Sequence, residues 1–400
     1  MNSALFAPGT IGSVTLKNRF VRSATSETLC APDGALTDRY ISFYRTLARG
    51  GAGLILTGHM FVHPRGRYTQ SQAGIHRDEF IPALKSFTTA IHDDGGTIFA
   101  ELGHAGSQCR DPSITPIAPS RVENFISHRE PVEATGAEIM EAIAAFGQAA
   151  RRAREAGFDG VHIHAGHGYL ISQFSSPFGN RRDDDWGGDA ARRGRFVAEI
   201  YKSVRAAVGS DFPVTIKLGM ADSMEQGGLK LEESVPRALA LRDAKVDAIE
   251  VSVGIMHLIS KSLGQFVAVT PKRAVQDLVF HRAIYPATAE GYFLAYAKAL
   301  KAQGIGIPVI LVGGVRSTDF MEEVLRDGYA DFLSMARPFI REPDLPNQIM
   351  AGRRGVVSCV SCNICAEHEG LEGTRCWRLN KIDLLRHLGF RIKNTFVKAH

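Results

Sequence analysis

The sequence predicts a (β/α)8 barrel, with an N-terminal β-hairpin before it and a Cys-rich C-terminal extension after it. Short β-rich runs alternate with longer helical patterns, the signature of βαβ units and a parallel sheet. The alternation repeats eight times over about 330 residues, more than a doubly wound sheet usually holds. The connections after the third, fourth and sixth strands are long, and in a barrel all three open on the C-terminal face. The expected division is a barrel over residues 1–352 and an extension over 353–400, packed on it. A two-domain α/β chain is the alternative that the strand count disfavours.

The elements follow in order. Residues 12–17 (Gly-Ser-Val-Thr-Leu-Lys) read as a hairpin strand and 19–24 as the first core strand. A helix over 36–49 places Ile41, Phe43, Tyr44 and Leu47 broadly on one side. Strand two is 54–57, after Gly51-Ala52-Gly53. A helix over 80–92 precedes strand three at 97–102, and a Pro-bearing connection runs over 103–131. Connections of that length are usually functional. The helix over 137–156 stops at Gly157, and Val161-His162-Ile163-His164 is strand four. A loop over 168–189 leads to a helix over 190–208 and strand five at 214–218. Then come a helix at 231–241, strand six at 248–251 and a loop over 252–286. A helix at 291–303, strand seven at 308–312, a helix at 318–326 and strand eight at 330–334 finish the barrel. A closing helix over 336–351 should be interrupted near Pro343 and Pro346.

Four hundred residues, 44% apolar and 22% charged, suit a globular chain with a large core. The net charge of +5 is spread out, with no basic block of the kind that tracks nucleic acid. No run reaches the roughly 18 apolar residues of a membrane span. The N-terminus lacks a basic region before an apolar core, so no signal peptide is expected and the cytoplasm is the expected compartment. Cys359, Cys362, Cys365 and Cys376 are bunched, whereas Cys30 and Cys109 stand alone.

Several residues at strand ends carry chemistry. Strand seven ends in Gly313-Gly314, whose backbone N–H groups can cradle an anion, and Arg337 one βα unit later can add a positive fork. Barrel phosphate sites typically lie after strands seven and eight. Thr25 follows strand one, Glu101 ends strand three and Lys217 lies in strand five. Taken singly these are ordinary caps and strand-end polar groups. Facing inward together, they suit the hydrogen-bonding edge of a planar heterocycle. His164, His167 and Tyr169 gather at the end of strand four. Two imidazoles and a phenol there can hold a polar atom and deliver a proton.

These residues resemble the old yellow enzyme family of FMN-dependent ene-reductases (NADH:flavin oxidoreductases). The resemblance rests above all on His164-Ala165-Gly166-His167-Gly168-Tyr169-Leu170, with Asn180-Arg181-Arg182 and Trp186-Gly187-Gly188 downstream. Leu5-Phe6-Ala7-Pro8, Leu16-Lys17-Asn18-Arg19-Phe20, Gly103-His104-Ala105-Gly106 and Arg337-Pro338 extend it from about residue 4 to 376. It implies an FMN-binding barrel that reduces activated C=C bonds, in α,β-unsaturated carbonyl compounds or enoyl thioesters, with NADH or NADPH as reductant. His164 and His167 would hold the substrate oxygen and Tyr169 would protonate the α-carbon. The implied flavin contacts are Ala24, Thr25, Glu101, Lys217, Gly313, Gly314, Ala336 and Arg337. The family usually has Gln at position 101 and often Arg at 217. A carboxylate cannot donate unless protonated. Glu101 therefore accepts from the flavin, has a raised pKa, or pairs with Lys217.

Cys359, Cys362, Cys365 and Cys376 form a four-thiolate pattern suited to an iron–sulfur cluster or a structural zinc. It resembles the [4Fe-4S] motif of the larger multidomain relatives, among them 2,4-dienoyl-CoA reductase and trimethylamine dehydrogenase. The chain runs about 24 residues past Cys376, too few for a second nucleotide domain. The alternative function is thus an FMN/[4Fe-4S] component fed by a partner flavoprotein. The expected partners are a small unsaturated substrate, a second copy of the chain and such an electron donor. The basic tail, Arg391 to Lys398, is expected to fray or to reach a neighbouring subunit.

Overall fold

A computed structural model of the chain describes residues 3–224, 226–256, 290–362, 364–369 and 372–397. Most of the expected loop over 252–286, and the side chains of the basic tail, lie outside the described residues. Eight parallel strands close into a barrel: β1 (Phe20–Arg22), β2 (Leu54–Leu56), β3 (Ile98–Gly103), β4 (Gly160–Ala165), β5 (Val214–Gly219), β6 (Ala248–Ser252), β7 (Val309–Val312) and β8 (Phe332–Met335). Each pairs with its sequence neighbours, β8 returns to β1, and β2 pairs with β3 to complete the ring. Nearly every strand residue is buried on both faces, as a parallel sheet sheathed in helices requires.

The apolar faces of the helices make the outer core. Among them α1 (Asp38–Arg49) starts at the Thr37 cap and α2 is Ile81–Asp93. Helix α3 (Gly136–Glu155) opens on a capping box of Thr135 and Glu138, and α4 (Ala190–Val208) on Asp189. These side-chain caps satisfy N–H groups that the helix cannot. The closing helix is split into Arg337–Arg341 and Leu345–Met350, as the prolines require.

The hairpin differs from expectation. Gly9–Ile11 pairs with Val14–Leu16, and the Gly12-Ser13 pair is the turn rather than strand. Gly12 has φ +56°, a conformation that glycine adopts at no steric cost. Ile11 and Leu16 of the hairpin are fully buried with Val21, Leu54, Leu56, Phe99, Ala248, Ile310 and Phe332. That apolar layer stops the N-terminal end of the barrel. The polar layer therefore lies toward the C-terminal mouth. Two further details went unread: the 103–131 connection carries a short parallel pair, Ile117–Ala118 with Val132–Glu133, and a six-residue helix, Leu170–Ser175, follows Tyr169.

Candidate active site

Strand register builds the site's floor. Lys217 on β5 lies opposite His164 on β4 and Glu250 on β6, and Glu101 on β3 lies opposite His162. Lys217 Nζ is 2.9 Å from Glu101 Oε2 and 3.2 Å from Glu250 Oε2. His162 Nε2 is 3.0 Å from Glu250, and its Nδ1 is 2.7 Å from Thr215 Oγ1. Ser334 and Ser23 donate to Glu250 Oε1 at 2.6 and 3.1 Å. Burial alone would raise the Glu101 carboxyl, but Lys217 and then His164 outweigh it and hold it well below the usual range. The Glu250 carboxyl, subject to the same burial and rescued by Lys217 and His162, falls to about 2. Lys217 is raised because its two carboxylates outweigh burial. Of the three roles open to Glu101, the geometry realises the pairing with Lys217. Glu101, His162 and Glu250 also have the spacing of a metal site, but the Lys217 ammonium is the cation between the carboxylates.

The three rings of strand four stand above this floor. The His164 and His167 centroids are 5.1 Å apart, and Tyr169 meets His164 edge-on at 4.8 Å. His164 Nδ1 lies 3.0 Å from Glu101 Oε1, at ion-pair distance but without hydrogen-bond geometry, and its buried Nε2 has no partner among the described residues. Beside a carboxylate, the first proton belongs on Nδ1. Nε2 then donates to an incoming oxygen only when the ring carries a second proton. His167 is pinned at φ +56°: its N–H donates to Val253 O at 2.9 Å and its Nε2 is 2.8 Å from Ser252 Oγ. Burial lowers both imidazoles, His167 strongly, with His164 adding to the effect there. Burial, with Glu369 next in weight, lifts the Tyr169 phenol well above its usual value and keeps it protonated.

One cavity in the mouth is lined by Ala24, Thr25, Gly313, Gly314, Ala336, Arg337 and His167. Gly313 and Gly314 have φ +95° and +77°, and their carbonyls accept from Tyr292 and Gly291 at 2.9 and 3.1 Å. Ala336 and Arg337 lie on the same wall of the cavity as Gly313 and Gly314. Backbone donors and a guanidinium on one wall fit the phosphate of a flavin mononucleotide. Thr25 is gripped by Arg22 Nη2 at 2.5 Å, and Arg22 is held by Glu27 at 2.9 Å. Lys217, Glu101, His164 and Tyr169 do not line this cavity. They reach it through the His164–His167 pair and the Ser252 contact.

Some members of the site escaped the sequence reading. Glu250 sits in an otherwise apolar strand, and its period-two partner Ser252 marked the inward face. His59, just after β2, packs on Tyr169 at 4.7 Å and His164 at 5.7 Å, a meeting across the barrel that its own segment does not announce. The extension also reaches the mouth: Cys365, Ala366, Glu369 and Thr374 share the cavity wall. All four clustered cysteines line a second cavity, and Arg337 and Cys365 belong to both.

A closed barrel with an inward Lys–Glu layer, and a Gly-Gly turn and a guanidinium on one cavity wall after β7 and β8, fits a flavin-type oxidoreductase. The NADH:flavin oxidoreductase / NADH oxidase family matches residues 4–355, and the chain belongs to that family. It is 36% identical over 366 residues to an NADH oxidase of Thermoanaerobacter brockii, covering 90% of this chain and 53% of that one. It is 35% identical over 392 residues to a 4,4'-dithiodibutanoate disulfide reductase of Rhodococcus erythropolis, covering 93% and 94%. The fold superposes on a 2-naphthoyl-CoA reductase in complex with 2-naphthoyl-CoA with a TM-score of 0.83 at 28% identity, over 95% of this chain and 57% of that one. The chain thus spans about half the length of the first and third of these proteins and nearly all of the second. FMN and a nicotinamide nucleotide are the cofactors of this family. Among the described residues, no helix is long and apolar enough to cross a membrane.

Proposed function

We propose that the protein is an ene-reductase that passes hydride from NADH or NADPH, by way of FMN, to an activated C=C bond. The observation that carries this is the His164–His167–Tyr169 cluster beside the cavity of Gly313, Gly314 and Arg337. Held by these residues, FMN would supply the hydride carrier between the nicotinamide and the β-carbon of the substrate. The protein's own residues do the rest. The N–H groups of Gly313 and Gly314, with Arg337, hold the phosphate, and Ala24, Thr25 and Ala336 border the ring system. Lys217 supplies the one ammonium that partly offsets Glu101 and Glu250 beneath the flavin edge. His164 and His167 hold the carbonyl oxygen of an unsaturated ketone, aldehyde or thioester and draw electron density from the alkene. Tyr169, protonated and close to His164, delivers the proton to the α-carbon. Residues 1–352 act as the flavin barrel, and Cys365, Ala366, Glu369 and Thr374 of the extension border its cavity. The test is spectral. Yellow protein should bleach with NADPH and recover its colour with cyclohexenone; colour that survives NADPH addition refutes this reading.

A second reading is favoured by the cysteine cavity. Cys359, Cys362, Cys365 and Cys376 line it together, yet no three of their sulfurs come within 4.8 Å of one another among the described residues. A tetrahedral zinc with Zn–S of about 2.3 Å needs sulfurs about 3.8 Å apart. Cys365, which also lines the flavin cavity, would set a [4Fe-4S] cluster bound there against the flavin wall. In that reading a partner flavoprotein supplies the electrons. Iron analysis of anaerobically purified protein, with reduction by a partner but not by NAD(P)H, distinguishes it.

A further inference from the structure

Glu369 belongs to the C-terminal extension, yet it forms part of the wall of the barrel cavity. Its segment is tied down on the barrel. Thr374 donates through Oγ1 to Ser26 O at 2.6 Å and through N–H to Glu27 O at 2.8 Å, and Thr28 Oγ1 donates to Glu372 O at 2.7 Å. The Tyr68 hydroxyl donates to Glu369 Oε2 at 3.3 Å. Tyr68 in turn meets Tyr169 edge to face, with centroids 5.8 Å apart, and the two rings are 2% and 9% exposed. Glu369 itself is only partly buried. Arg110 lies over the Tyr68 ring at 5.1 Å, and Ser26 hydrogen-bonds the Glu369 carboxyl.

We propose that Glu369 returns a proton to Tyr169, through Tyr68, after each substrate reduction. The proposal rests on the reading of Tyr169 as proton donor. When the substrate Cα–H bond forms, the Tyr169 O–H bond breaks and a tyrosinate remains. Tyr68 gives that oxygen its proton, Glu369 in its acid form gives one to Tyr68, and a proton from hydronium or buffer acid in the solvent restores Glu369. The other groups near Tyr169 do not serve. Glu101 is 1% exposed and committed to Lys217. His59 is buried, and burial with His164 lowers it to about 3, leaving no second proton to give near neutrality. Burial shifts the Glu369 carboxyl upward, which favours its acid form.

The experiment is double mixing of the flavin-loaded protein. The enzyme is reduced, reoxidised with cyclohexenone, reduced again and reoxidised again. In Glu369→Gln and in Tyr68→Phe the first reoxidation should match the wild type, because Tyr169 starts protonated. The second should be slower by about 10-fold or more, and formate should restore it in Glu369→Ala. Equal first and second reoxidations overturn the relay, and so does a parallel loss of both. If Tyr169→Phe leaves the first reoxidation unchanged, the donor assignment itself has failed, whatever Glu369 does.

Discussion

Lys217 Nζ stands between Glu101 and Glu250, 2.9 and 3.2 Å away, with all three side chains buried. One ammonium thus answers two carboxylates, and the layer beneath the mouth carries a surplus negative charge. A negative surplus opposes the anionic reduced flavin. In Glu101→Gln that surplus disappears, while Lys217 keeps Glu250 as its partner. At an effective dielectric of about 20 and about 7 Å, one charge is worth about 2.4 kcal/mol. For a two-electron couple this is an upward shift of about 50 mV. Redox titration of the bound flavin checks it, and an unchanged midpoint contradicts it.

Removing the cation is a harsher change. Lys217→Met leaves Glu101 and Glu250 facing each other without their ammonium. Breaking a buried pair from one side typically costs about 3–5 kcal/mol. The expected outcome is a lower denaturant midpoint with an unchanged slope, together with loss of bound FMN. A midpoint within error of the wild type would mean that the carboxylates take up protons at no cost.

His164 gives ligand binding a pH dependence. Its Nδ1 faces Glu101, so donation from Nε2 needs the imidazolium. Burial, Lys217 and His162 lower its pKa while Glu101 raises it, and the net direction is down. Protonation therefore proceeds as pH falls below the ordinary histidine value of about 6.5. Affinity for a saturated cyclic ketone should rise over that range, by at most about 10-fold per pH unit for one proton. In Glu101→Gln the amide can donate to Nδ1, the neutral ring can carry its proton on Nε2, and the dependence should flatten. Titration of the flavin absorbance with the ketone at several pH values decides.

The barrel was legible because alternation and periodicity are local, and they recur for every strand and helix. Helices Ala190–Val208 and Thr318–Arg326 fall where the pattern puts them, each opening on a side-chain cap. The His164–Tyr169 stretch was legible for the same reason, since a strand end and the following turn bring its residues together. Partnerships across the barrel were not. Glu250 meets Lys217 through the register of two strands separated by a helix, and His59 meets Tyr169 across more than a hundred residues of chain. Glu369 was hidden further still, because a C-terminal extension has no barrel register to place it. The hairpin differs by a few residues: Gly12-Ser13 is a two-residue Gly-Ser turn between strands of only three residues each, too short for alternation to mark their ends.

Tyr169 can be separated from its neighbours kinetically. Its ring packs between His59, His164 and Tyr68, so phenylalanine fits the same space. Tyr169→Phe should leave flavin reduction by NADPH intact and slow reoxidation by an enone about 100-fold. Stopped-flow measurement of each half-reaction reads the two separately. If both slow together, the phenol is a packing residue and not the donor.

Acid stability follows from histidines held neutral by burial. Burial and then neighbouring cations or imidazoles lower His59 and His104 to about 3 and His76 to about 4. In the unfolded chain each titrates near 6.5. Between those values the unfolded state binds more protons, so stability rises with pH and is lost as pH falls from about 6.5 toward 3. Asp222 acts in the opposite sense. Burial raises it to about 6, so the folded state binds its proton more tightly there and gains stability as pH falls through that range. Burial also raises Glu27 and Glu369, but it lowers His164 and His167 beside the three imidazoles named; the lowered imidazoles outnumber the raised carboxyls, and the low Glu250 carboxyl adds to their side below pH 4.5. The denaturant midpoint should therefore fall steadily from pH 7 to pH 4. His104→Asn should reduce that slope, because one of the lowered imidazoles is gone while an acceptor for the Gly106 N–H, now 3.1 Å from His104 Nδ1, is retained. A midpoint independent of pH over this interval would show that these rings take up protons in the folded state without cost.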